Sequence, residues 1–280
     1  MRYGFVTCVR LGQACIEEIL GTGGSLDVLV TLPDDRGRDK SGRIYLDDIA
    51  QEHGIALIKV ANINDEAALD ALRRADLDWL FIIGWSQIAR KDVLDIARRG
   101  TLGMHPTLLP QGRGRASIPW AIIKDLPKTG VTLFQLDEGV DTGPIFEQYE
   151  IPVSADETAQ TLYAKAVEAH LALLRRVWPR LEDGTAQGRR QDESQATEWP
   201  GRTPADGEIF LDRMTVAEID RLVRATTRPY PGAFLRQEGG AILRIWAGHP
   251  AESSGGRGPG RLKATDGGYL VTESTVEPAR

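Results

Sequence analysis

The first half of the chain alternates short apolar runs with segments of helical spacing, and few folds accept that pattern. Tyr3 to Cys8 reads as a strand, Gln13 to Leu20 as a helix and Leu26 to Leu32 as a second strand. Ile44 to Gln51 has helical character, Ala56 to Val60 is strand-like, and Asp65 to Arg74 returns to helical spacing. Asp78 to Gly84 (DWLFIIG) is a continuous apolar run, as a strand buried on both faces requires. Lys91 to Arg99 is expected as a helix and Thr101 to Met104 as a short strand. This alternation predicts an α/β fold with a doubly wound, mostly parallel, Rossmann-like sheet. Such sheets bind ligands outside the carboxyl ends of their strands. The segments there are Thr7 to Arg10, Gly84 to Gln87 and His105 to Thr107.

Two further strands are expected at Thr129 to Leu136 and Pro144 to Ile151, then a long helix from Asp156 to Leu181 whose start carries capping and acidic groups. The polar, aperiodic stretch that follows reads as a linker. The expected organisation is a large domain over residues 1–182, a linker over 183–196 and a small α+β domain over 197–280. The last holds a helix from Val216 to Thr226, short strands such as Ile242 to Trp246, and a flexible loop from Gly255 to Gly260.

No apolar stretch reaches the length of a membrane span, and the N-terminus enters a strand without a signal-peptide core. The two cysteines, Cys8 and Cys15, form no C-x-x-C pair and read as small buried hydrophobes, which fits a cytoplasmic, reducing setting. The net charge of -6 makes a nucleic-acid substrate unlikely on charge grounds. The G-x-G-x-x-G fingerprint is missing after the first strand, since Gly21, Gly23 and Gly24 come only after the first helix. An NAD enzyme is therefore disfavoured. No phosphate-loop motif and no calcium-loop spacing occur, and no metal site is expected.

Chemistry-bearing residues concentrate between Gly103 and Gly143. His105 ends a strand just before a loop with two prolines and two glycines, where a neutral imidazole can shuttle protons near pH 7. It can equally hydrogen-bond its own loop. Gln111-Gly112-Arg113-Gly114-Arg115 offers arginines to an anion, or simply a solvated loop. Asp137-Glu138-Gly139-Val140-Asp141-Thr142-Gly143 is a tight acidic loop that can supply a carboxylate partner to His105, or form a plain polar hairpin.

Taken together these clusters resemble the folate-dependent formyltransferase family, which includes methionyl-tRNA formyltransferase and amino-sugar formyltransferases. The resemblance is carried by Gly103-Met104-His105-Pro106-Thr107-Leu108-Leu109-Pro110, Arg113-Gly114, Thr129-Gly130-Val131-Thr132 and Asp137 to Gly143. It extends through Arg202-Thr203-Pro204, Leu222 to Ala225 and Arg228-Pro229-Tyr230-Pro231-Gly232-Ala233-Phe234, reaching about Trp246. The resemblance implies an N-formyltransferase that uses 10-formyl-tetrahydrofolate. It implies His105 and Asp141 at the reacting centre, and a pterin near Gln87, Ile88, Asp137, Glu138 and Gly139. Arg10, Thr107 and Arg113 are the expected acceptor contacts, and the charged loop Asp34 to Tyr45 is a further candidate. One position departs from the family pattern: Gly103 stands where an asparagine is usual. A lost oxyanion donor costs about 10²–10³ in rate when nothing replaces it.

The acceptor is less constrained. Residues 198–280 hold 11 basic and 11 acidic side chains, a balance that argues against tRNA. A small-molecule amine is expected, first a nucleotide-linked amino sugar, then a hydroxyornithine-type amine of siderophore assembly. A formyl-folate hydrolase and a non-catalytic folate-binding module are the other readings. Tyr230 and Phe234 either offer a homodimer surface or pack the small domain's core.

Overall fold

The computed structural model describes residues 1–36, 42–251 and 260–278. The expected flexible loop Gly255 to Gly260 lies outside the described residues except for Gly260, and the Asp34 to Tyr45 loop lies outside them over residues 37–41. The elements run β1 (Tyr3–Val6), α1 (Arg10–Gly21), β2 (Val28–Thr31), α2 (Asp47–His53), β3 (Ala56–Lys59), α3 (Glu66–Ala75), β4 (Trp79–Ile82), α4 (Lys91–Leu94) and β5 (Gly100–His105). There follow β6 (Arg113–Gly114), α5 (Ser117–Ile123), β7 (Lys128–Gln135), β8 (Ile145–Pro152), α6 (Ala159–Glu182), β9 (Glu198–Trp199) and α7 (Val216–Thr226). The chain finishes with β10 (Ala233–Arg236), β11 (Ile242–Ala251), β12 (Arg261–Lys263) and β13 (Gly268–Glu277).

Two compact units result. One comprises Met1–Arg113, Gly130–Glu150 and Val167–Thr197; the other comprises Gly114–Thr129, Ile151–Ala166 and Glu198–Arg280. Residues 183–197 thus belong with the first unit, and α5 with the second.

The first unit is built on a sheet of order β3-β2-β1-β4-β5-β7-β8. Strands β1 to β5 are parallel, and β7 runs antiparallel to β5. This is the expected doubly wound α/β architecture. Strand alternation sends Val6, Val28, Val30 and Leu80 to one face, where they pack on Ala68, Leu69 and Leu72 of α3. Tyr3, Phe5 and Phe81 go to the other, where Trp178 of α6 lies 4.5 Å from the Tyr3 ring and 5.9 Å from that of Phe81. Arg175 of α6 grips Glu18 of α1 at 2.9 Å on that same side.

Strand order reverses between β1 and β4, the switch point where such sheets open a crevice. Here the two loops close on each other. Gly84 adopts φ 69°, and a Cβ there would sit 2.4 Å from Val9 Cγ2. Only glycine fits.

The expected helix Lys91 to Arg99 stops at Leu94. Its continuation is diverted because Arg98 N–H donates to Leu77 O (3.0 Å) and Arg99 N–H to Asp78 O (2.9 Å), so tertiary backbone bonds replace the helical ones.

In the second unit a sheet of order β10-β11-β13-β12 packs on α7 through Ile219, Leu222, Val223, Ile245 and Tyr269, with Ile123 of α5 against the same core. This is the expected small α+β domain. Phe234 is buried and Tyr230 half-buried. Burial, with a lesser contribution from Tyr163, pushes the Tyr230 phenol up to about 12. Helix α7 opens with a capping box: Thr215 Oγ1 accepts from Glu218 N–H (3.2 Å), and Glu218 Oε2 accepts from Thr215 N–H (2.8 Å). Thr215→Ala is expected to destabilise by about 1 kcal/mol, read as a lower denaturant midpoint at unchanged slope.

Both cysteines are buried and neither is in a disulfide. Burial, then Glu18, pushes the Cys15 thiol up to about 12, which makes it unreactive. Among the described residues no helix is long and apolar enough to cross a membrane, and no cluster of His, Cys, Asp and Glu is arranged to hold a metal ion.

Candidate active site

His105 is the last residue of β5, at the carboxyl edge of the sheet, and is 7% exposed. Its Nε2 lies 2.8 Å from Gly112 O. A carbonyl can only accept, so Nε2 carries a proton. The other nitrogen, Nδ1, faces Asp141 Oδ2 at 3.4 Å. That separation is an ion-pair distance rather than a firm hydrogen bond.

Each partner is held by its own scaffold. Across from His105 in the ladder stands Thr132 of β7. Its hydroxyl donates to Thr107 O (2.7 Å) and accepts from Leu109 N–H (3.1 Å) and Gln148 Nε2 (2.9 Å). Gln148 Nε2 also reaches Leu109 O at 2.9 Å. One hydroxyl thereby pins the turn after His105 onto the sheet. Thr132→Val is expected to leave a buried carbonyl and amide unpaired, at about 1–3 kcal/mol of stability, measurable by denaturant unfolding. On the Gly112 side, Thr197 Oγ1 accepts from Gly112 N–H (2.9 Å) and Thr197 O from Arg113 N–H (2.9 Å), aiming the Gly112 carbonyl at the imidazole.

Asp141 sits in a left-handed conformation at φ 55°, which an Asp tolerates better than most side chains. The acidic loop is tied internally, since Asp137 Oδ1 accepts from Gly139 N–H (3.1 Å) and Thr142 Oγ1 (2.7 Å). It is tied externally by Gln191, whose Nε2 donates to Asp141 O and Gly143 O, each at 2.8 Å. Gln191 Oε1 in turn accepts from Arg113 Nη2 at 2.8 Å, and Arg113 makes a two-pronged contact with Glu193 at 2.7 and 2.9 Å. Glu193 raises the Arg113 pKa, and Arg113 holds the Glu193 carboxyl below its usual range.

The remaining expected site residues fall as follows. Arg113 is 8% exposed, its guanidinium engaged by Gln191 and Glu193. Thr107 is 1% exposed, and among the described residues its hydroxyl has no hydrogen-bond partner. The Gln87 amide is spent on the chain itself, accepting from Ile63 N–H (2.9 Å) and donating to Ala61 O (2.7 Å). Ile88 projects outward at 87% exposure while Asn64 holds its carbonyl at 2.9 Å. Glu138 and Gly139 are exposed. Asp95 chiefly, and Glu138 to a lesser degree, raise the Lys91 pKa. Arg10 is exposed at the start of α1, its N–H donating to Gly42 O at 3.0 Å. His105, Asp141 and the acidic loop therefore form one cluster.

The residues to which the sequence assigns no site role are Thr132, quoted there only as part of a motif, Gln148, Gln191 and Leu136. Leu136 explains the departure at Gly103. A Cβ on Gly103 would lie 2.7 Å from Leu136 Cδ2, 3.1 Å from its Cγ and 3.3 Å from its Cδ1. Residues 103 and 105 share one face of β5, so an apolar side chain fills the space next to the histidine.

A family model described as "Formyl transferase" matches residues 28–177, which contain His105 and Asp141, and one described as "Formyl transferase, C-terminal domain" matches residues 202–275. The chain belongs to the formyl transferase family. Solved structures similar to this family member include the N-formyltransferase from Helicobacter canadensis in complex with folinic acid and dTDP-3-aminofucose. It matches at TM-score 0.70 and 17% identity over 98% of this chain and 99% of that one. A sugar N-formyltransferase from Shewanella sp. matches at TM-score 0.70 and 18% identity, over 88% and 97% of the two chains. HypX from Aquifex aeolicus matches at TM-score 0.72 and 17% identity over 100% of this chain and 46% of that one, so the chain spans about half the length of HypX. At such identities the likeness is one of fold.

Proposed function

We propose that this protein is an N-formyltransferase moving a formyl group from 10-formyl-tetrahydrofolate to a small-molecule amine. Our preferred acceptor is a nucleotide-linked amino sugar. The observation that carries the reading is the His105–Asp141 pair at the end of β5, within the family-matched residues. Structures of fold relatives bound to folinic acid and dTDP-3-aminofucose, or to dTDP and a 5-formyl folate, support the donor and the acceptor class. The two buried cysteines, neither in a disulfide, support a cytoplasmic setting. We further assign the reacting groups to the expected catalytic domain, residues 1–182.

The residues present suit such a donor. Ile88, 87% exposed, offers an apolar face, and Glu138 and Gly139 are exposed in the acidic loop that reaches His105 through Asp141. The donor supplies the formyl carbon that the amine nitrogen attacks. Oxygen gains negative charge, the amine gives up a proton and the departing folate nitrogen takes one. Nε2 anchors the ring through its proton on Gly112 O, and the Nδ1–Asp141 side of His105 receives the amine proton, meets the developing charge once protonated and returns the proton to the departing folate nitrogen. Contacts of this kind tighten when ligands bind. Thr132, Gln148, Gln191, Arg113 and Thr197 act as positioning residues.

The discriminating experiment is an acceptor panel of amino-sugar nucleotides, hydroxyornithine and methionyl-tRNA, read by mass gain of one formyl group. Formylation of an amino-sugar nucleotide is the expected outcome. Tetrahydrofolate release without any amine would instead indicate a hydrolase. Tight folate binding without turnover would indicate a binding module.

A further inference from the structure

The second unit gathers two indoles and three cations. Trp120 lies on α5, with Lys124 one turn later. The Lys124 ammonium is 5.5 Å from the Trp120 ring centroid and 6.0 Å from that of Trp199. The Arg202 guanidinium stacks 4.8 Å from the Trp120 centroid. Arg115 joins them because its N–H donates to Trp199 O (3.2 Å) and its side chain runs beside Gly201. The Trp120 ring is fixed by its own N–H, which donates to Pro200 O at 2.8 Å.

The nearby carboxylates are committed elsewhere. Asp125 pairs with Arg221 at 3.5 Å. Asp206 turns its carboxylate back on Thr203 N–H (2.5 Å) and Oγ1 (2.8 Å); it meets Arg202 directly through its backbone oxygen, at 2.6 Å, and by longer-range attraction through its carboxylate. Among the described residues Arg115, Lys124 and Arg202 form no ion pair with a carboxylate. In a chain of net charge -6, three cations outside any ion pair on one aromatic platform, with the Asp206 carboxylate attracting Arg202 from a longer distance, form a local positive site.

We propose that Arg115, Lys124 and Arg202, arranged around Trp120 and Trp199, form a binding site for a phosphate-bearing ligand. Guanidinium groups match phosphate oxygens two at a time, and an ammonium adds a point charge. Stacking on indole holds two of the cations in place before a ligand arrives, which lowers the entropy lost on binding. The link to a nucleotide-linked acceptor rests on the function proposed above. The phosphate binding does not, because it is read without turnover.

Isothermal titration of the full chain with inorganic pyrophosphate, a nucleoside diphosphate and a short oligoglutamate tests the proposal. Pyrophosphate and the nucleotide are expected to bind, both more weakly at high salt, with oligoglutamate weaker. Arg202→Gln and Arg115→Gln should each weaken pyrophosphate binding about 10-fold or more, given about 1.5–3 kcal/mol per charged hydrogen bond. Arg202→Lys, which keeps the charge, guards against loss of folding and should retain an intermediate affinity. Absence of pyrophosphate binding, equal binding by the Gln variants, or preference for oligoglutamate would each overturn the proposal.

Discussion

Replacing His105 with alanine is expected to lower formyl transfer about 10²–10⁴-fold, the range ascribed to a positioned acid–base group. The fold should survive, because the ring sits at a strand end with its environment fixed by other residues. Thr132 pins the turn after it, and Thr197 holds Gly112 whether or not the imidazole is present. The loss should therefore fall on kcat more than on KM. Asp141→Asn removes the charge facing Nδ1 at 3.4 Å while keeping the side chain's size. It should also lower kcat, by less than the alanine change at His105, because the Nε2 proton remains held toward Gly112 O. Steady-state kinetics with circular dichroism check both variants. A His105→Ala protein that keeps its kcat would remove the imidazole from the chemistry.

Restoring the family's asparagine is expected to fail on its own. In Gly103→Asn the new Cβ meets Leu136 Cδ2 at 2.7 Å, closer than real Cβ contacts allow. Overpacking of this kind costs about 1–3 kcal/mol. The obstacle is the end of a leucine rather than backbone, so removing it should relieve the strain. Leu136→Ala alone opens a notch and destabilises. Gly103→Asn with Leu136→Ala should be more stable than the sum of the single changes predicts, a coupling that a double-mutant cycle measures. If the asparagine then supplies an oxyanion donor, the double variant gains rate toward the about 10²–10³ such a group is worth. Additive energies across the cycle would mean that the two side chains do not compete for the space.

These two sites mark how far the sequence could be read. Apolar alternation located the strands of the parallel sheet within a few residues, because strands buried on both faces have little freedom in composition. Helix α7 was legible from its spacing, with both ends correct. Helix α4 was overextended, because the backbone bonds from Arg98 and Arg99 to the chain before β4 that end it are tertiary. No helix is expected from the sequence over Ser117 to Ile123, where the structure has α5. The His105–Asp141 encounter was legible through the motif, at a separation of 36 residues that no local pattern reports. Gln191 was not, since it lies in a polar, aperiodic stretch whose value depends on two backbone carbonyls it reaches in space. The match between Gly103 and Leu136 is likewise invisible in one dimension, because the missing side chain lies in β5 and its occupant just after β7.

The central claim is that the His105 site passes a formyl group from folate to an amine. It is tested most directly by giving the protein 10-formyl-tetrahydrofolate labelled at the formyl carbon, together with an amino-sugar nucleotide. The label is then followed in the amine and in formate while tetrahydrofolate is measured. The account predicts one labelled formyl-amine for each tetrahydrofolate released, with no release when the amine is withheld. Label appearing as formate at the same rate with and without the amine would contradict it.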